Sequence, residues 1–154
     1  MTRIVIPIFI LLMLACGSKE NNNTNEIDDA RSMNDPGVPI RVLIDSVENY
    51  GSVYSFDLLE TASLDYGAGE FLSTFMIMAD KYNNAFASMS VYYQLLWMYN
   101  TPIVDSSENG IYILDSLNTE SRKMVIRYLI QADSLGNEEA SKHLEEYKRA
   151  GIIK

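Results

Sequence analysis

The sequence predicts an all-α protein built as three irregular helix hairpins. Three observations point there: apolar residues recur at three- and four-residue steps, Gly and Asn punctuate them at short intervals, and one stretch of chain aligns with another at a constant offset. In Ile40 to Tyr50, the residues Ile40, Leu43, Ile44, Val47 and Tyr50 place one apolar stripe on a helix, and Gly51-Ser52 breaks it. Tyr54, Leu58, Leu59 and Ala62 mark a second helix, which Tyr66-Gly67-Ala68-Gly69 ends. A third is expected from about Glu70 to Tyr82, with Phe71, Phe75, Met78, Ala79 and Tyr82 on one face, before a turn at Asn83-Asn84. The fourth, from Ala85 to about Tyr99, is apolar on more than one face through Val91, Leu95, Leu96, Trp97 and Met98, and so belongs in the middle of the packing.

Asn100 to Gly110 reads as a long loop, from Thr101-Pro102 and the polar run that follows. The apolar patch Ile111 to Leu117 suits a two-turn helix, with a strand as the alternative. Thr119 is the expected cap of a helix carrying Met124, Val125, Tyr128, Leu129 and Ala132, which Leu135-Gly136-Asn137 stops. The last helix, Glu138 to Ala150, carries Ala140, Leu144 and Tyr147. It sets Glu138 and Glu139 at its positive N-terminal end and Lys148 and Arg149 at the other.

Sliding the chain along itself pairs Phe75, Ala79, Asp80, Asn84, Ala87, Ser88 and Val91 with Tyr128, Ala132, Asp133, Asn137, Ala140, Ser141 and Leu144, 53 positions on. The segment Tyr50 to Ser55 matches Tyr82 to Ala87 more loosely, 32 positions on. One hairpin cannot bury its own stripe, whereas about three stacked hairpins can. The stretch from Tyr128 to Leu144 resembles Sel1-like repeats, relatives of the tetratricopeptide (TPR) repeats, at Tyr128, Ala132, Gly136, Asn137, Ala140 and Leu144. Asn83 stands for the glycine in the hairpin around Asn84, and Glu145 replaces the glycine that tends to follow the leucine. The resemblance implies a short TPR/Sel1-like α-solenoid that serves as a scaffold for binding other proteins.

The N-terminus carries an address. Arg3 precedes an unbroken apolar run from Ile4 to Ala15 and then the only cysteine, Cys16. That run is the length of a signal-peptide core and falls short of the roughly 20 residues of a spanning helix. Met13-Leu14-Ala15-Cys16 resembles the processing box of bacterial lipoproteins, with Met13 where leucine is usual. The resemblance implies cleavage before Cys16, lipidation (palmitate) of Cys16, and a place in the bacterial cell envelope, on the periplasmic face or the cell surface. An ordinary cleaved secretion signal is the alternative. Three parts follow: a signal peptide over 1–15, a lipidated and disordered tether over 16–38 that is too poor in apolar residues to repay ordering, and a helical-repeat domain over 39–154.

With Cys16 as its only cysteine, the mature chain gains no disulfide from an oxidising compartment and depends on packing. The formal net charge is −9. Its distribution says more. From Val42 to Asn118 ten carboxylates (Asp45, Glu48, Asp57, Glu60, Asp65, Glu70, Asp80, Asp105, Glu108 and Asp115) face one cation, Lys81. Such a surface disfavours nucleic acid and anionic headgroups and favours a cationic partner, although a solvated face that aids solubility reads the same way.

Candidate chemistry is thin. His143 shares a helix face with Glu139 and Glu146 at a spacing that could hold a metal, but no HExxH accompanies it, and a solvated polar face is the simpler reading. Asp45/Glu48 and Asp57/Glu60 are spaced as acid pairs, although paired acids on amphipathic helices are usually their wet side. Gly67-Ala68-Gly69 lacks the strand and third glycine of a dinucleotide fingerprint, and Ser141 points to a different helix face from His143. The expectation is therefore a protein-binding module with no catalytic residue, metal or cofactor. Its partner surface joins the acidic segment to exposed aromatics of the fourth helix, Tyr92, Tyr93 and Tyr99. An immunity-type toxin inhibitor, or an envelope-polymer hydrolase, remains the alternative.

Overall fold

The computed structural model describes residues 32–101 and 112–153. The expected signal peptide over 1–15, Cys16 with most of the expected tether, and most of the stretch expected as a loop after Asn100 lie outside them. Among the described residues the regular structure is helical throughout, in six α-helices: α1 (Ile40–Tyr50), α2 (Val53–Ala62), α3 (Leu72–Tyr82), α4 (Ala85–Met98), α5 (Thr119–Ser134) and α6 (Glu138–Arg149). No helix among them is long and apolar enough to cross a membrane.

The helices pair in chain order, α1 on α2, α3 on α4 and α5 on α6, and α4 packs against α5 while α1 touches α3. Each pair turns in the same way. Gly51 (φ 64°), Asn83 (φ 51°) and Gly136 (φ 89°) reverse the chain from the left-handed region. The next residue then caps the second helix: Ser52 Oγ accepts from Ser55 N–H at 3.2 Å, Asn84 Oδ1 from Ala87 N–H at 2.8 Å, and Asn137 Oδ1 from Ala140 N–H at 2.9 Å. A cap of this kind stabilises a helix by about 1 kcal/mol. Ser55, Ala87 and Ala140 are all buried, so the small residue at each junction lets the two helices approach.

The core follows the expected stripes with informative exceptions. Leu43 and Val47 of α1, Phe75, Met78 and Ala79 of α3, and Val125, Tyr128, Leu129 and Ala132 of α5 are buried. On α2, Tyr54 faces solvent and Phe56 takes the interior position, edge-on to Phe75 at 5.2 Å between ring centroids. Helix α4 is buried on nearly every side between α3 and α5, as an all-round apolar helix must be.

Four boundaries differ from expectation. Helix α3 begins at Leu72 rather than Glu70, because Gly67 and Gly69 accept from the N–H groups of Glu70 and Leu72 in successive turns. Asn118, not Thr119, caps α5, its Oδ1 accepting from Ser121 N–H at 2.9 Å. The described part of the Ile111 to Leu117 patch is neither a two-turn helix nor a strand element: Tyr112 makes an isolated bridge and Leu114–Ser116 form one 3-10 turn that drops Leu114 into the core. Finally, Ser32 to Val38 carry no helix, yet Asn34 Nδ2 donates to Asp65 at 2.7 Å and so ties this stretch to the 3-10 turn Ser63–Asp65 after α2.

Candidate functional site

Helix α4 delivers its aromatics to two different places. Tyr92 is wholly buried, and its hydroxyl lies 2.9 Å from that of Tyr147 on α6. That corrects the expectation of an exposed Tyr92. Tyr92 follows the buried Val91 on a helix enclosed by α3 and α5, so its side chain goes inward and its hydroxyl needs an interior partner. Tyr93, one position on, is half-buried, and Tyr99, beyond the end of the helix, keeps 44% of its surface exposed. Tyr93 and Trp97 stand one turn apart with rings nearly parallel, at 21° and 6.0 Å between centroids.

Tyr93 and Trp97 form one wall of a groove of about 310 Å3 between α4 and the end of α2. Glu60, Thr61, Ser63 and Leu64 line the other side, and Ser90 and Gln94 of α4 complete it. Leu64 and Trp97 stay 65% and 46% exposed, so the groove opens to solvent between them. Ser90 Oγ donates across it to the Glu60 carboxylate, which fixes that charge. Gln94 Oε1 accepts from Gly69 N–H at 2.7 Å and anchors the loop before α3. The Met98 side chain packs over the same glycine, whose φ of 90° also lies where a side chain is strained.

Behind the groove lies a polar cluster. The Tyr93 hydroxyl donates to Glu139 at 2.6 Å and sits 3.2 Å from His143 Nε2. His143 is buried among the rings of Tyr92, Tyr93 and Tyr147, and its Nδ1 finds no hydrogen-bond partner, nor does Glu146 Oε2. Burial lowers the His143 pKa, and the negative charges of Glu139 and Glu146 offset this in part. Burial likewise raises the hydroxyl pKa of Tyr93, aided by the hydrogen bond to Glu139. Thus His143 is not on a solvated face, as its neighbouring charges suggested. Among the described residues no group of three or more His, Cys, Asp or Glu side chains is arranged to hold a metal ion.

The acid pairs are drawn into packing one residue at a time. Glu48 accepts from the Thr74 hydroxyl at 2.8 Å and Glu60 from Ser90, each joining two helices. Sequence reasoning missed Glu60, Ser90 and Gln94 as a set. The available signal was Ser88, Ser90 and Gln94 interrupting a helix apolar on every side, since polar groups inside such a helix must find partners.

No family model matches the chain, and no curated protein or solved structure is significantly similar to it. What defines the protein's class is therefore its architecture, an all-α domain of three turn-related helix pairs with an aromatic groove on α4.

Proposed function

We propose that this protein is a bacterial envelope lipoprotein, held by lipid on Cys16, whose helical domain binds another protein through the groove between α2 and α4. The observation that carries the binding role is the Tyr93–Trp97 stack, which presents half-exposed aromatic area beside a fixed carboxylate. Aromatic rings of this kind supply large contact area at low entropic cost and dominate many protein interfaces. The recurrence of a left-handed residue and an N-cap at all three hairpins supports reading the domain as a short Sel1-like or TPR-like solenoid. Its role is that of a scaffold rather than a catalyst. Its acidic middle segment suits a cationic protein and not a nucleic acid.

Crosslinked pull-down from native membranes tests this, with Cys16→Ser as the unlipidated control. The reading expects fatty-acid label on the wild type alone, and one protein recovered in proportion to the anchored bait. Failure of the label to attach, or turnover of a cell-wall fragment by the purified protein with no partner recovered, would overturn it.

A further inference from the structure

The hydroxyls and the carboxylate that line the α2–α4 groove share one electrostatic sign, while the Gln94 amide, whose oxygen accepts from Gly69 N–H, is the neutral group beside them. The Thr61 hydroxyl donates to the Asp57 carbonyl at 3.0 Å, the Ser63 hydroxyl to the Glu60 carbonyl at 2.6 Å, and the Ser90 hydroxyl to the Glu60 carboxylate. Each hydroxyl has committed its one proton to the protein, so what it can still offer a ligand is a lone pair. Glu60 is the one charged side chain among the described lining residues. The opposite wall is the Tyr93–Trp97 pair, whose ring faces are electron-rich. Acceptor hydroxyls, a carboxylate and two aromatic rings around one space favour a cation over an anion.

Shape narrows the choice. At about 310 Å3 the groove is at the small end of ligand pockets, and its mouth is flanked by the exposed Leu64 and Trp97. A long, flexible side chain fits such a site. Its methylene stem would lie on Leu64 and Trp97 while its charged end reaches Glu60, as amphipathic side chains do when they bury a stem and keep the head polar. The surrounding sequence adds long-range attraction, because Lys81 is the lone cation among the ten carboxylates from Val42 to Asn118.

We infer that the α2–α4 groove is a receptor for a lysine side chain of the partner protein, with Trp97 and Tyr93 supplying cation–π contact and Glu60 the counter-charge. This rests on the binding-module reading and specifies what that module grips. An uncharged apolar side chain would gain the contact with Trp97 and leave the carboxylate and lone pairs without a partner.

Trp97 is the only tryptophan, so its fluorescence reports from the groove wall alone. The full chain in mild detergent is titrated with an acetylated, amidated pentapeptide carrying lysine between alanines. Matched peptides carry norleucine or trimethyllysine, and n-butylammonium supplies a free amine. The inference expects saturable change with the lysine and trimethyllysine peptides, little with norleucine, and weaker binding of n-butylammonium than of the lysine peptide. Glu60→Gln, which keeps an acceptor for Ser90, should weaken the lysine peptide about three- to tenfold. Added salt should weaken it further in the wild type than in the variant. Equal affinity for norleucine and lysine, no response to any cation, or no loss in Glu60→Gln would overturn the cation site. Binding of n-butylammonium as tight as that of the lysine peptide would overturn its assignment to a protein side chain. A partner recovered by pull-down whose binding ignores Glu60 would sink this inference and leave the module reading intact.

Discussion

The hydroxyl of Tyr92 on α4 meets that of Tyr147 on α6 at 2.9 Å, with both residues wholly buried. The bond joins the central helix to the last one, although 55 positions separate the two in the chain. Removing either hydroxyl leaves the other with one interior partner fewer, so Tyr92→Phe or Tyr147→Phe is expected to cost about 1 to 2 kcal/mol. The double variant should cost less than the sum of the two, because no orphan hydroxyl then remains. Urea unfolding of all four proteins measures the coupling.

Strong alkali is expected to unfold this protein steeply. Burial raises the pKa of Tyr92, Tyr93 and Tyr147, and burial with a hydrogen bond to Asp80 pushes Tyr128 up to about 12, against 10.0 for a free tyrosine. Below pH 10 both states keep these protons and the stability is fully present. Above it the unfolded chain loses protons that the folded chain retains, so stability falls, by about 1.4 kcal/mol per pH unit for each such tyrosine. For Tyr128 the window runs from pH 10 to about 12. Tyr128→Phe should flatten that limb in a pH series of thermal unfolding.

His143 gives the opposite sign on the acid side. Its folded pKa lies below the ordinary 6.5, so the unfolded chain takes up a proton first as pH falls. The stability is present above pH 6.5 and is lost as pH drops through the folded pKa. Replacing the imidazole in His143→Phe keeps a planar ring among Tyr92, Tyr93 and Tyr147 and removes the unpartnered Nδ1. Melting temperature between pH 5 and 7 should then vary less than in the wild type, whatever the value at neutral pH.

Two turn glycines separate conformational strain from crowding. Gly51 and Gly136 both hold positive φ, at 64° and 89°, but a Cβ at Gly51 would come within 2.4 Å of the Tyr82 ring, while at Gly136 it would meet nothing within 4 Å. That ring cannot easily step aside, because the Tyr82 hydroxyl donates to the Glu48 carbonyl at 3.1 Å. Gly136→Ala is therefore expected to cost roughly 1 kcal/mol from backbone alone, and Gly51→Ala clearly more. Denaturant midpoints of the two variants decide it.

Much of this architecture was legible in the residues. The Gly51-Ser52, Asn83-Asn84 and Gly136-Asn137 pairs mark every hairpin, because a left-handed residue followed by a capping side chain is a local device that needs no knowledge of the rest of the fold. Helix α1 keeps its predicted bounds and buries the middle of its apolar stripe, Leu43 and Val47, while Tyr50 at its end stays exposed. Position within a crowded helix was not legible. Tyr92 and Tyr93 are adjacent and identical, and only the enclosure of α4 by α3 and α5 sends one inward and leaves the other on the groove. Thr119 lost the cap to Asn118 through a one-residue choice between two competent side chains. The Glu60–Ser90 contact joins residues 30 positions apart and is set by tertiary packing.

Site-specific photocrosslinking in native membranes tests the binding groove most directly. A benzophenone side chain is placed at Thr61 on the groove rim or, as a control, at Ile130, which is half-exposed on α5. The account predicts a single protein adduct from Thr61, absent from Ile130 and reduced by Glu60→Gln. Adducts of equal yield from both positions, or from Ile130 alone, would contradict it.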